Sequence, residues 1–405
     1  MQDSALIPMA ELALRHAACR RLLQHEAPEA SGLLLCSRVH IYYLTGTLGW
    51  GLLWLPLEGA PLLLLRKGLA RAALESPLQA VGFSSYKEVA GLCAHMGSPL
   101  GSVLAVDKNA FTWSMAEMLQ SRIPERRFVA GDAVLAKARA VKSPWELERM
   151  RRAGAAHAHL LDVLLPKHLH AGMTEMEIAR IYSTEALALG SSGLIRMQAA
   201  GEENFWGYAS AGESSLYPTY YNGPLGCRGK HPAVPFMGSD KPWAQHSLLA
   251  LDLGYAHEGY LTDRTQCYWS GAAHTVPKAL RLAQDACMEI VQRTAEQLKP
   301  GAIPALLWQE ACAQAAARGF EGCFMGMGRD AVPFLGHGIG LAMDEWPVLA
   351  RSFSQPVQAG MVLAVEPKIS VAGQGMAGVE HTYEITEDGA RSLTGSQCDF
   401  HYVLA

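Results

Sequence analysis

Apolar positions in this chain recur in two rhythms. From Met9 to His25 they fall three and four residues apart, which predicts an amphipathic helix. The run SGLLLCS then reads as a buried strand, followed by an IYYLTGT segment. LLWLPLEGAPLLLLR reads as a hairpin turning at Glu58-Gly59. SVLAVD predicts another strand, before a helix around Thr112 to Gln120. Strands alternating with helices predict an α/β domain over residues 1–140.

Lys142-Ser143-Pro144 opens a second pattern. Ser143 can cap a helix, Pro144 fits its first turn, and Glu146 and Glu148 suit its positive end. Leu147, Met150, Ala153 and Leu160 keep helical spacing. T-E-M-E caps a further helix near Thr174. Two more are expected over Pro277 to Leu298 and Pro304 to Arg318. Apolar strands interleave with these helices, so residues 141–405 are expected to be α+β with antiparallel pairing.

Composition narrows the function. The 405 residues are half hydrophobic and 18% charged, with a net charge of −4, as in an ordinary soluble enzyme. No basic stripe suggests nucleic acid as a partner. The most apolar stretch, WGLLWLPLEGAPLLLLRK, is broken by Pro56, Glu58, Gly59 and Pro61, so no membrane span is expected. The start of the sequence lacks a basic segment followed by an apolar one, so no signal peptide is expected. Nine scattered cysteines without a C-x-x-C pair fit reduced thiols in a cytoplasmic protein.

The chemistry lies in two pairs of acids. Asp252 and Asp263 flank LGYAHEGYLT, whose midpoint falls between His257 and Glu258. Glu366 and Glu380 flank PKISVAGQGMAGV, whose midpoint is Gly373. If each stretch folds as a hairpin about its midpoint, each acid faces its twin across ~5 Å, where like charges repel. The apolar runs SLLALD and MVLAVE end in Asp252 and Glu366, and neither run holds a Lys or Arg. Buried acids without counter-charges are strongly disfavoured, so divalent cations are expected between them. His337, in FLGHGIGL, is a fifth candidate ligand with glycines on both sides. Four carboxylates and one imidazole suit Mn, Fe, Co or Zn.

The segments LALDLGYAHEGYLTDRT, FLGHGIGL, MVLAVEP and GVEHTYEIT resemble the pita-bread metallopeptidases, the family of methionine aminopeptidase, aminopeptidase P, prolidase and creatinase. YYLTGT and AVKSPWELERMRRA resemble the family's creatinase-type N-terminal domain. The resemblance implies a C-terminal pita-bread domain with two divalent metals per chain. Asp252 would hold one metal, and Asp263 and Glu380 would bridge both. His337 and Glu366 would complete the second. It also implies a metal-bridging hydroxide attacking an amide carbonyl, Glu366 as proton shuttle, and a homodimer.

Three positions depart from the family's pattern. Asp344 stands where peptidase members place a second histidine, and Thr219 at another usual histidine. Gln266 replaces the Arg of a D-x-T-R motif. Thr219 and Tyr221 are the candidate substrate contacts and Asp344 a second candidate catalytic group. The expected function is hydrolysis of small peptides, of the Xaa-Pro dipeptidase or aminopeptidase kind. The alternative is a lyase or C–N hydrolase acting on a non-peptide small molecule, in which Asp344 serves as a base. His257 and His381 read as structural or exposed, and Trp50 as a core residue in preference to a pocket contributor.

Overall fold

The computed structural model describes residues 6–199, 202 and 205–404. Two compact units divide the chain, Met1–Arg139 and Ala140–Ala405.

The first unit is built on a six-stranded mixed sheet. Across it run Ala80–Gly82, Leu62–Lys67, Trp50–Pro56, Gly32–Leu35, Val103–Val106 and Arg127–Ala130. Gly32–Leu35 is buried along its whole length, as its unbroken apolar run demands. It pairs antiparallel with Trp50–Pro56 and parallel with Val103–Val106. Leu34, Leu52, Trp54 and Leu64 share a core with Val89 and Leu119 of the helices Val89–His95 and Trp113–Arg122. IYYLTGT forms the end of the helix Arg38–Thr45, which stops at Gly46 with φ 84°. Trp50 is 53% exposed, which corrects its expected core place; the Arg66 guanidinium lies 5.7 Å from its ring centroid.

In the second unit the helices start where the caps predict. Ser143 accepts the Glu146 N–H, and the Glu146 carboxylate accepts the Ser143 N–H, at the head of the helix Pro144–His159. Thr174 and Glu177 do the same for Glu175–Ala188. Lys278–Gln297 buries Leu280, Ala283, Cys287, Ile290 and Val291 on one face. Each fully buried Leu, Ile or Val there contributes about 1.5–3 kcal/mol. Pro304–Ala317 completes the set.

Two sheets carry the acids. One orders His401–Val403, Tyr260–Ser270, Leu248–His257 and Gly207–Ala211. The other orders Glu345–Ala350, Phe334–Gly338, Val362–Val365, His381–Thr386 and Gly389–Ser392. A two-stranded extension, Lys368–Val371 with Gly375–Gly378, continues the Val362–Val365 and His381–Thr386 pair.

Candidate metal centre

The first hairpin turns through Glu258-Gly259, with φ 49° and 85°, so His257 pairs with Tyr260. A two-residue turn with both φ positive suits the strand twist. The centre of the hairpin therefore lies one residue beyond the expected midpoint, which moves the pairing by two residues. Asp252 stands opposite Thr265, and Asp263 opposite Gly254. Residues 252 and 254 point the same way on a strand, so both acids still share one face. In the second hairpin Val365 pairs with His381 and Lys368 with Gly378. Both pairs obey one register centred on Gly373, which sets Glu366 opposite Glu380 as predicted.

Two threonines stitch the hairpins together. The Asp263 N–H donates to Thr382 Oγ1 at 2.9 Å, and the Thr382 hydroxyl donates to the Asp263 carbonyl at 2.9 Å. Thr265 repeats the device, its hydroxyl donating to Glu380 Oε2 at 2.8 Å. Each threonine follows its acid by two residues, in D-R-T and E-H-T. That echo is legible in the sequence and names two positioning residues that the acid pattern alone passes over.

His337 sits on Phe334–Gly338, between Glu345–Ala350 and Val362–Val365. A Cβ at Gly336 would lie 2.1 Å from the Ala364 carbonyl oxygen, and one at Gly338 2.5 Å from that of Trp346. Only glycine allows this strand to pass so close. His337 Nδ1 lies 3.0 Å from the Gly338 carbonyl, which can only accept, so Nδ1 carries the proton. Nε2 faces the acids, 3.6 Å from Asp344 and 3.7 Å from Glu366; burial lowers His337, but these charges and that of Glu380 outweigh it and raise it above the ordinary histidine value. Asp252, Asp263, His337, Asp344, Glu366 and Tyr221 line one cavity that opens to solvent.

Crowding shows in the acids' protonation. Burial chiefly, with the Glu380 charge beside it, raises Asp252 to about 6 against the pull of Lys368. Burial and the charges of Glu380 and Asp252 push Asp263 well above the usual carboxylate range. Burial raises Glu366 and Asp344 as well. These acids need cations to stay ionised together.

Residues 148–387 match Metallopeptidase family M24, and residues 15–141 match the Creatinase/Prolidase N-terminal domain. This chain belongs to metallopeptidase family M24. The Xaa-Pro dipeptidase of Pyrococcus furiosus is 24% identical over 367 residues, covering 90% of this chain and 93% of that one. Among solved structures, dipeptidase PepE from Mycobacterium ulcerans superposes with a TM-score of 0.78 at 22% identity, covering 99% of this chain and 100% of that one. The Xaa-Pro dipeptidase from Bacillus anthracis gives 0.79 at 18% identity, covering 96% and 99%. These structures carry the fold: a creatinase-type domain followed along the chain by a pita-bread domain, as the sequence motifs imply.

M24 membership implies a divalent metal, and one half of the centre fits it. Asp263, His337 and Glu380 bring a ligand atom each to within 4.8 Å of one another. Glu380 Oε1 is buried without a hydrogen-bond partner, as suits an oxygen that would ligate a cation. The other half differs from expectation. Asp252, Glu366 and Glu380 form the second acidic cluster, and the Lys368 ammonium lies within it. Its Nζ is 2.6 Å from Glu366 Oε2, 3.1 Å from Glu380 Oε2 and 3.2 Å from Asp252 Oδ2. Burial works against the Lys368 charge, but the three acids outweigh it and hold the lysine protonated well above its usual range. Lys368 follows Glu366 by two residues on the same face. A search for counter-charges confined to the run MVLAVE stops just short of it.

The remaining expectations in this M24 metallopeptidase sort by contact. Thr219 does not line the metal-facing cavity: its hydroxyl meets the Tyr208 hydroxyl and accepts the Tyr221 N–H at 3.0 Å. It lines a neighbouring depression with Pro218 and Met327 instead. The arginine missing at Gln266 is present two residues earlier. Arg264, on the face opposite Asp263, is fully buried and pairs with Asp162 at 2.6 and 3.1 Å, while donating to Gln266 Oε1 at 3.1 Å. His381 is structural: burial and the Arg264 charge lower it to about 3, and it bonds Thr394 and the Gln397 carbonyl. All nine cysteines are free.

Proposed function

We propose that this chain is a metal-dependent dipeptidase acting on Xaa-Pro substrates. The observation that carries the reading is the convergence of Asp263, His337 and Glu380, whose Oε1 is buried without a hydrogen-bond partner, beside an open cavity. The match to an Xaa-Pro dipeptidase over 90% of this chain supports the substrate class. A bound divalent metal lowers the pKa of a coordinated water and polarises an amide carbonyl. The chain's own residues do the rest. Glu366 Oε2 is pinned by Lys368, which aims Oε1 toward His337 and the reacting centre. Its carboxyl, raised by burial, is suited to carry a proton to the leaving amine. Asp344, with its side chain 26% exposed, offers a carboxylate to the cationic amino terminus of a dipeptide. Tyr221 supplies an apolar wall for the proline ring.

Incubation of the manganese-loaded protein with a panel of Xaa-Pro dipeptides tests this directly. Proline release is expected, and His337→Ala should abolish it. Glu366→Gln should lower kcat by roughly 10²–10⁴-fold, the usual weight of a proton carrier. An intact panel with metal demonstrably bound overturns the proposal, and turnover of a sulfonium or guanidino compound in its place would favour the non-peptide alternative.

A further inference from the structure

We propose that the centre holds one divalent metal, and that the Lys368 ammonium permanently takes the place of a second. The inference rests on the metallopeptidase reading for the first metal and departs from it for the other. Three observations carry it.

Lys368 is fully buried, so its ammonium has no water to return to. Its three N–H donors meet three carboxylates, Asp252, Glu366 and Glu380, at 2.6–3.2 Å. That is the whole donor capacity of an ammonium group, satisfied with charge assistance. A metal coordinated by the same oxygens would need their lone pairs at 2.0–2.2 Å and would stand almost on top of Nζ. Two cations do not share that space.

The strand is shaped for the lysine. Lys368 faces Gly378 across the ladder, and a Cβ built on Gly378 would lie 2.7 Å from Lys368 Cγ. The glycine leaves the room through which the aliphatic stem reaches the acids. Any side chain at 378 would push the stem aside.

The acids divide between the two cations. Glu380 gives Oε2 to Lys368 and Thr265 and leaves Oε1 unpartnered, while the residue also clusters with Asp263 and His337. Glu366 gives Oε2 to Lys368 and leaves Oε1 on the His337 side. Glu380 thus spans one ammonium and one metal site, where a two-metal centre would have it bridge two metals. Asp252 is left with the lysine as its cation.

Equilibrium dialysis of the full chain against manganese, read by elemental analysis and native mass spectrometry, tests the stoichiometry without relying on activity. One manganese per chain is expected for the wild type and two for Lys368→Ala. Two per wild-type chain overturns the inference and leaves the dipeptidase proposal standing if proline is still released. One per chain in both proteins overturns the role of Lys368 in excluding the second ion. None in the wild type overturns both proposals. The wild-type measurement stands alone should the variant fail to fold.

Discussion

At the residue scale the centre is a matter of charge placed against charge. Four acids gather where the interior tolerates them only with cations nearby, and Lys368 is one such cation. Removing one partner of a buried charge cluster typically costs about 3–5 kcal/mol. Lys368→Met should therefore lose stability of that order in urea unfolding with a chelator present; an unchanged midpoint would show that the ammonium does not compensate the acids. The acids and His337 were legible because their sequence contexts break rules, a carboxylate ending an apolar strand and an imidazole between glycines. Lys368 was not legible in the same way. An isolated lysine after a proline reads as the start of a solvated strand, and only the paired register of Lys368 with Gly378 shows it pointing inward. The contacts of Thr219 were not legible either: alignment by a nearby proline carries no information about which way the hydroxyl points.

At the element scale the hairpins and their turns decide the geometry. The second hairpin follows its sequence symmetry about Gly373, while the first is shifted by the Glu258-Gly259 turn. The shift spares the site because it moves the pairing by two residues, which restores the face; a shift of one would have turned an acid away. Helix starts at Ser143 and Thr174 were legible from their capping boxes, since a cap is a local hydrogen bond that needs no tertiary context. Ser143→Ala should cost about 1 kcal/mol in unfolding free energy, with no change in metal binding. The strand bearing His337 depends instead on close backbone approach. In Gly338→Ala the added methyl meets the Trp346 carbonyl, and the Gly338 carbonyl that orients His337 Nδ1 must shift. Loss of such an outer partner weakens metal binding by roughly 10–100-fold. A manganese titration of that variant matching the wild type would contradict the proposed orientation of His337.

At the scale of the whole molecule, the sequence pattern changes from alternating strands and helices to hairpins near residue 140, and the chain divides into compact units Met1–Arg139 and Ala140–Ala405. Among the described residues no helix is long and apolar enough to cross a membrane. Global stability should carry a signature of His157. It is fully buried on Pro144–His159, near Thr262 Oγ1 and the Tyr182 hydroxyl at 3.1 and 3.3 Å. Burial, with the Arg264 charge, holds it well below the ordinary histidine value of 6.5. Below that value the unfolded chain binds a proton that the folded chain refuses, so acid favours unfolding. Stability from this residue is complete above the ordinary value and falls by about 1.4 kcal/mol per pH unit beneath it, until the lowered folded value is reached. His157→Gln should flatten the pH dependence of the unfolding free energy by one proton; parallel curves for the two proteins would contradict the assignment.

The convergence of both hairpins and His337 on a single metal is tested most directly by anomalous scattering from a manganese-soaked crystal. One peak is predicted, within bonding distance of Asp263, His337 Nε2 and Glu380 Oε1, with Lys368 Nζ still seated between Asp252 and Glu366. No peak among those three ligands, or a manganese ion between Asp252 and Glu366 with the lysine displaced, would contradict it.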